Sequence, residues 1–353
     1  MENTVRIGAK EITQDGPPYL IAEIGVNHDG SMDRALDLIW KAARCGADAV
    51  KFQAYKADLL AHPNSPTYFG QTGPEAKSQH EFFKRYDSFG PKEYERLAQE
   101  CKTAQVDFLC TPFDLSAVEW LNPLVPAWKI ASADITNIPL FSAITLTRKP
   151  VLLSTGAATL REIGRALQAL YQQRNDAIAL LHCVLAYPTP PEDANLLMIA
   201  DLKHRFADCV IGYSDHTPAT PEMEVCTMAY LMGARIIEKH FTDDKTRPGN
   251  DHAHSMDYVD LGNLRMALDH VGYYMGRGQK GPLPIEAAAR RFARRGLYAA
   301  QDLSPGTQLR LEHVAILRPS ANIGPEEWHR LEGKTLVVPM KKGEPFSWGG
   351  LAA

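Results

Sequence analysis

From about residue 19 to about residue 276, short apolar or β-branched runs alternate with longer stretches whose apolar residues recur every three or four positions. The first kind of run suits a buried strand and the second an amphipathic helix. The strand candidates are YLIAEIG (19–25), DAVKFQA (48–54), DFLCTPF (107–113), AWKIAS (127–132), PVLLSTG (150–156), AIALLHC (177–183), CVIGYSD (209–215) and ARIIEKHF (234–241). Between them lie helical patterns such as SMDRALDLIWKAARCGA, PKEYERLAQECKTAQ, TLREIGRALQALYQQRN and PEMEVCTMAYLMGA. Strands alternating with helices indicate a parallel α/β sheet. Eight such units over this length predict a (β/α)8 TIM barrel, with an open doubly wound sheet as the alternative.

Nearly every strand candidate is apolar along its body and polar at its C-terminal end. The polar ends carry Glu23, Lys51 and Gln53, Thr111 and Asp114, Lys129 with Ser132 and Asp134, Ser154 and Thr155, His182, Ser214 with Asp215 and His216, and Glu238 with His240. Polar residues also mark where any strand gives way to a loop, but lysine, histidine and carboxylate at so many ends are what a barrel active-site rim requires. The longest connection, residues 55 to 91 with Pro63, Pro66, Gly70, Gly73 and Pro74, is long enough to be functional. After Gly276 the rhythm changes. Residues 277–292 read as a Gly/Pro-containing basic linker, and RGLYAA, AILRP and KTLVVP within 293–353 as a small β-rich appendage.

Composition narrows the classes. The 353 residues are 45% hydrophobic and 23% charged, which excludes disorder and coiled coil as descriptions of the whole chain. With 38 basic against 42 acidic residues and no Lys/Arg run, the charge pattern argues against a nucleic-acid partner. No apolar stretch approaches membrane-spanning length and the first residues lack a signal-peptide core, so a cytoplasmic protein is expected. The six cysteines form no CxxC pair and read as reduced core residues.

His216 and His240 close the seventh and eighth strands, which would put two imidazoles on one rim, an arrangement suited to a divalent cation with open positions. Glu238 is two residues from His240, hence on the same strand face, and is a candidate to orient it or to hold a bound water. The DHAHS stretch after the last strand resembles a metal motif, but hydrolase barrels place HxH on the first strand, and Asp251 reads better as a loop residue aimed at a hydroxylated ligand. Lys51 and Lys129 would point into the barrel and demand an anion, either a phosphate or carboxylate ligand helped by Thr111, Ser132, Ser154 and Ser214, or a barrel carboxylate such as Glu23 or Asp134. Schiff-base formation on one lysine is a further alternative.

AEIGVNHDGS, GADAVKFQAY, CTPFD, WKIASAD, LLSTG, LLHCVLAYPTPPED, IGYSDHT, EKHFT and DKTRPGNDH occur in the order and spacing of the sialic acid synthases, and the tail resembles their antifreeze-like (SAF) domain. The resemblance covers essentially the whole chain and extends to the legionaminate and pseudaminate synthases. It implies metal-dependent condensation of phosphoenolpyruvate with N-acetylmannosamine or a related 2-acetamido sugar, with Mn2+ as the cation and Mg2+ or Co2+ as substitutes. It implies metal ligation by His216 and His240, and phosphoenolpyruvate contacts from Lys51, Gln53, Thr111, Lys129, Ser132, Ser154 and Ser214. Glu23, Tyr187 and Asp251 would face the sugar, with Glu23, Lys129 and Asp134 as catalytic groups. Arg318 would reach the partner's barrel in a domain-swapped homodimer. Leu185 stands where the neuraminate enzymes commonly have asparagine, and Asp134 where the family often has glutamate, so the exact sugar stays open. A phosphorylated aldose is the competing substrate, for which Lys245 and Arg247 could supply a basic cluster; a non-catalytic sugar-binding barrel is the third reading.

Overall fold

The computed structural model describes residues 4–67, 76–172, 177–276 and 278–352. The chain divides into two compact units, Met1–Gly276 and Arg277–Ala353.

The first unit opens with an antiparallel hairpin of β1 (Thr4–Ile7) and β2 (Lys10–Thr13). The eight predicted strands follow as β3 (Tyr19–Gly25), β4 (Ala49–Ala54), β5 (Asp107–Pro112), β6 (Trp128–Ile130), β7 (Val151–Ser154), β8 (Ile178–Cys183), β9 (Val210–Asp215) and β10 (Ile236–His240). They form one parallel sheet in the order β5-β4-β3-β10-β9-β8-β7-β6, and its two ends, β5 and β6, lie side by side, so the sheet curls into a barrel. The open doubly wound alternative is therefore excluded.

Helices cover the outside because each connection carries its own start signal. Ser31, Asp114 and Thr159 accept backbone N–H groups at the first turns of Met32–Arg44, Leu115–Leu121 and Leu160–Tyr171, and Glu162 completes a capping box with Thr159. Ala35, Leu38, Ile39 and Ala42 of the first of these helices pack on the outward strand residues Leu20, Ala22, Val50 and Phe52.

The inward positions form two levels. Lower down, Tyr19, Ile21, Ala49, Leu109, Leu152, Leu181, Val210 and Ile236 make an apolar plug, joined by Val5, Ile7 and Ile12 of the hairpin. The hairpin thus seals the N-terminal end of the barrel. Higher up, the same alternation delivers Glu23, Lys51, Thr111, Lys129, Ser154, Ser214 and Glu238, all buried. At the rim, the register of β3 on β4 shifts between Glu23 and Gly25. Gly25 takes φ +54°, and a Cβ there would stand 3.2 Å from Glu23 Oε1 and 3.3 Å from Gln53 Nε2, so the bulge needs glycine to bring these two side chains together.

The second unit contains an antiparallel pair, β11 (Gly296–Ala299) and β12 (Val314–Leu317), over a core that includes Leu297, Leu309, Leu336 and Phe346. KTLVVP forms isolated bridges, Thr335 with Gln308 and Leu336 with Leu351, instead of a third strand. Residues expected as plain linker include a short helix, Ala287–Phe292. No helix among the described residues is long and apolar enough to cross a membrane.

Candidate active site

A cavity of about 580 Å³ opens at the C-terminal ends of the barrel strands. Thirteen of the fourteen residues to which the resemblance gives a metal, substrate or catalytic role line it: Glu23, Lys51, Gln53, Thr111, Lys129, Ser132, Asp134, Ser154, Tyr187, Ser214, His216, His240 and Asp251. Arg318 belongs to the second unit, where it is exposed just after β12.

Its floor is ionic. Lys51 Nζ lies 2.8 Å from Glu23 Oε2 and donates to Thr111 Oγ1 at 3.2 Å. Lys129 Nζ donates to Ser154 Oγ at 2.7 Å. Glu238 Oε1 stands 3.6 Å from both ammonium groups and accepts from Ser214 Oγ at 3.0 Å. Glu238 therefore bridges the lysines and does not orient His240, as its place two residues away had suggested. Lys129 pairs with Glu238, not with Asp134, whose carboxylate accepts instead from Asn137 Nδ2 at 3.0 Å.

Burial opposes every charge here, and the neighbours decide which survive. For Glu238, burial raises the pKa but Lys129 and Lys51 outweigh it, so its carboxyl is held below the usual range. Burial dominates at Glu23, whose pKa is raised despite Lys51. Burial likewise lowers Lys129 and raises Asp134. The floor thus holds two amines, one carboxylate held in its charged form and one carboxyl whose proton is bound more tightly than usual.

Above the floor, the His216 and His240 rings are 5.5 Å apart. His216 Nδ1 donates to the Val184 carbonyl at 2.8 Å, and although burial lowers its pKa, Cys183 and this carbonyl outweigh it and raise it, so Nε2 offers a lone pair in the neutral form of the ring. His240 Nδ1 is buried without a hydrogen-bond partner and lies 3.5 Å from Asp251 Oδ2. Burial keeps His240 neutral, well below the usual histidine pKa. The two imidazoles beside a carboxylate offer the nitrogen and oxygen donors that a divalent cation takes once His216 has given up its proton. Among the described residues no group of three or more His, Cys, Asp or Glu is placed to hold a metal ion, so a cation on the two histidines would need water and substrate oxygens for the rest of its shell.

Sequence reasoning missed several neighbours. The DHAHS stretch contributes His254, 5.2 Å ring to ring from His240. Tyr55, Leu60, Phe82, Phe83, Phe113 and Asn250 also line the cavity. Four of these belong to the long 55–91 connection, the expected functional loop, in which Gly70, Gly73 and Pro74 lie outside the described residues. Other polar strand ends have different work. Asp114 caps a helix, His182 Nε2 pairs with the Ala194 carbonyl at 2.9 Å, and Asp215 binds Lys239 on the opposite face of the wall. Lys245 pairs with Asp260 at 2.7 Å and Arg247 with Asp243 at 3.3 Å, so neither forms the basic cluster a phosphorylated aldose would need.

Residues 38–280 match the model of the NeuB family, and residues 294–352 that of the SAF domain. The chain belongs to the NeuB family. It is 34% identical to an N,N′-diacetyllegionaminic acid synthase of Legionella pneumophila, over 95% of each chain. With an N-acetylneuraminate-9-phosphate synthase of Drosophila melanogaster it shares 32% identity over 93% of this chain and 94% of that one. The crystal structure of the N-acetylneuraminic acid (sialic acid) synthetase of Leptospira borgpetersenii, with citrate, superposes with a TM-score of 0.73 at 33% identity, covering 82% of this chain and 95% of that one. This NeuB-family chain is an enzyme of the synthase type.

Proposed function

We propose that the barrel condenses phosphoenolpyruvate with a 2-acetamido hexose to give a nine-carbon 2-keto-3-deoxy acid and phosphate. The observation that carries the reading is the pair of buried amines, Lys51 and Lys129, set with Thr111, Ser154 and Ser214 at the floor of the cavity that also holds His216 and His240. Two ammonium groups with hydroxyl donors suit a small polyanion bearing phosphate and carboxylate. Similarity to synthases of N,N′-diacetyllegionaminic acid and N-acetylneuraminate 9-phosphate supports the assignment.

In this reading C3 of phosphoenolpyruvate bonds to the aldehyde carbon of the sugar, a water oxygen bonds to C2, and the C2–O bond to phosphate breaks. Lys51 and Lys129 hold the anion, and Glu238 fixes the two ammonium groups in place. Gln53 and Ser132 add uncharged donors. Glu23, with its raised pKa, can pass a proton to the sugar oxygen or take one from the attacking water, and Asp134 is the second carboxyl placed for that task. His216 and His240 would hold Mn2+, or Mg2+ or Co2+, whose chemistry when bound is Lewis-acid polarisation of the aldehyde oxygen. Tyr187, 4.1 Å ring to ring from His216, and Asp251 would flank the sugar. Two further elements belong to the proposal: a homodimer in which Arg318 of each chain serves the partner's barrel, and a cytoplasmic setting that keeps the six free cysteines reduced.

The test is phosphate release from phosphoenolpyruvate with added Mn2+ and a panel of acetamido hexoses, with the product identified by mass. Phosphate together with a nonulosonate supports the reading. Silence across the panel, with no phosphoenolpyruvate binding, sinks it in favour of a sugar-binding barrel.

A further inference from the structure

Alternation along β9 and β10 sends Ile211, Tyr213 and Ile237 outward into the apolar layer under the helices. Asp215 and Lys239, the next outward positions, break that pattern. Their carboxylate and ammonium meet at 2.5 Å, each side chain about 1% exposed. A fully buried ion pair is a weak source of stability, since an apolar pair of similar volume often serves as well or better. Its presence calls for another reason, and the register of the strands supplies one.

β9 and β10 pair as far as Asp215 opposite Lys239, the last rung of their ladder, with Ser214 and Glu238 one rung below. His240 stays within a ladder too, opposite Glu23 on β3. His216 does not, because it lies one residue beyond the end of β9. Its tie to β10 runs through the residues on either side of it. Thr217 donates its backbone N–H to Asp215 Oδ1 and its hydroxyl to Asp215 Oδ2, both at 3.0 Å, and its carbonyl accepts from Lys239 Nζ at 2.6 Å. The Lys239 ammonium thus clasps both flanks of His216, while the Lys239 backbone runs directly into His240. Cys226 Sγ, on the helix Glu224–Leu231, closes over Asp215 Oδ2 at 3.4 Å. The other bonds of His216, to the Val184 carbonyl and from the Thr189 N–H, lead to a different segment and not to β10.

Resting on the two-histidine cation site of the synthase reading, we infer that Lys239, Asp215 and Thr217 are positioning residues, whose cluster on the outer face of the wall sets the spacing of the His216 and His240 rings, 5.5 Å apart, and with it the affinity for a divalent cation. None of the three is among the described residues that line the cavity, so each acts through a histidine.

The experiment titrates the full chain with Mn2+, followed by electron paramagnetic resonance, and with phosphoenolpyruvate, followed by calorimetry. Four proteins are compared: wild type, Lys239→Met, the double variant Asp215→Leu with Lys239→Met, and Thr217→Val, each with its fold checked by circular dichroism. Lys239→Met removes the clasp and lowers stability. The double variant regains part of that stability with the clasp still absent, and Thr217→Val removes one hydrogen bond with almost no change of shape. The Mn2+ dissociation constant should rise about tenfold or more in both proteins that lack the ammonium, and about threefold in Thr217→Val. That for phosphoenolpyruvate, set by the floor lysines, should stay within about twofold. Mn2+ affinity that climbs back with stability in the double variant, equal weakening of both ligands, or wild-type affinity in every folded variant overturns the inference. Should Lys239→Met fail to fold, the double variant and Thr217→Val decide. Wild-type protein that binds phosphoenolpyruvate but no Mn2+ is the separate result that defeats the cation site itself, and the inference with it.

Discussion

Lys239 and Asp215 meet 2.5 Å apart on neighbouring strands, each side chain about 1% exposed. Each lies next in sequence to an imidazole residue of the cavity, yet points to the opposite face of the barrel wall. Lys239 Nζ also donates to the Thr217 carbonyl at 2.6 Å, while Asp215 accepts from the Tyr213 hydroxyl at 2.8 Å and from the Thr217 backbone at 3.0 Å. Lys239→Met would leave Asp215 buried without its cation and should cost about 3–5 kcal/mol in urea unfolding. Adding Asp215→Leu should recover only part of that loss, because the Tyr213 hydroxyl and the Thr217 N–H then lose their acceptor. A single-variant cost below about 1 kcal/mol would contradict the pairing.

The ionic floor makes a binding prediction independent of turnover. A ligand held only by the folded protein raises its stability, by about 2.7 kcal/mol at a hundred times its dissociation constant. Phosphoenolpyruvate should therefore raise the melting temperature of the wild-type protein and fail to do so for Lys129→Met. An equal shift in the two proteins would remove Lys129 from the anion site.

His240→Ala takes one of two nitrogen donors from the proposed cation site. Bound Mn2+, followed by electron paramagnetic resonance, and metal-dependent turnover should both disappear, while the circular dichroism spectrum stays that of the wild type. Retention of stoichiometric Mn2+ would refute the two-histidine site.

Acid stability follows from a histidine outside the cavity. His28 stacks on Phe89 at 4.2 Å, and burial lowers its pKa from 6.5 to about 4. Between those values the unfolded chain binds a proton that the folded chain refuses, so stability falls as pH drops through the window and changes no further below it. The contribution is about 3 kcal/mol at most. His28→Phe keeps the stack and should flatten this part of the stability profile; an unchanged slope would assign the acid sensitivity elsewhere.

Sharing of sites across a dimer can be tested by complementation. Arg318→Ala should raise the sugar KM far more than the KM for phosphoenolpyruvate, and Lys51→Ala should be inactive. After subunit exchange, the mixture should regain activity at low sugar that neither variant has alone. No gain despite confirmed exchange would mean that each chain serves its own site.

Much of the site was legible because a parallel barrel converts a simple sequence rule into position. Alternation along VKFQ and IIEKH puts Lys51 with Gln53, and Glu238 with His240, on the inward face, and the C-terminal strand ends form the rim. Contacts across the barrel were not legible in the same way. That Lys129 finds Glu238 depends on how eight strands close, which no local pattern encodes. The aromatic lining of the cavity was hidden for another reason: Tyr55, Phe82 and Phe83 lie in a connection without strand periodicity, where an aromatic residue gives no sign of which way it faces. The hairpin of β1 and β2 escaped notice because four-residue strands are too short for alternation to stand out, although Val5, Ile7 and Ile12 carry it.

That hairpin has a kinetic consequence. With Val5, Ile7 and Ile12 closing the lower end of the barrel, the lysines stand, among the described residues, at the bottom of a well that opens at the C-terminal ends of the strands. Whatever occupies the lysines must arrive before the molecule that sits above it, and cannot depart past that molecule. Traffic through such a well is ordered by depth alone, so dead-end inhibitors resembling the upper occupant should bind uncompetitively toward the lower one.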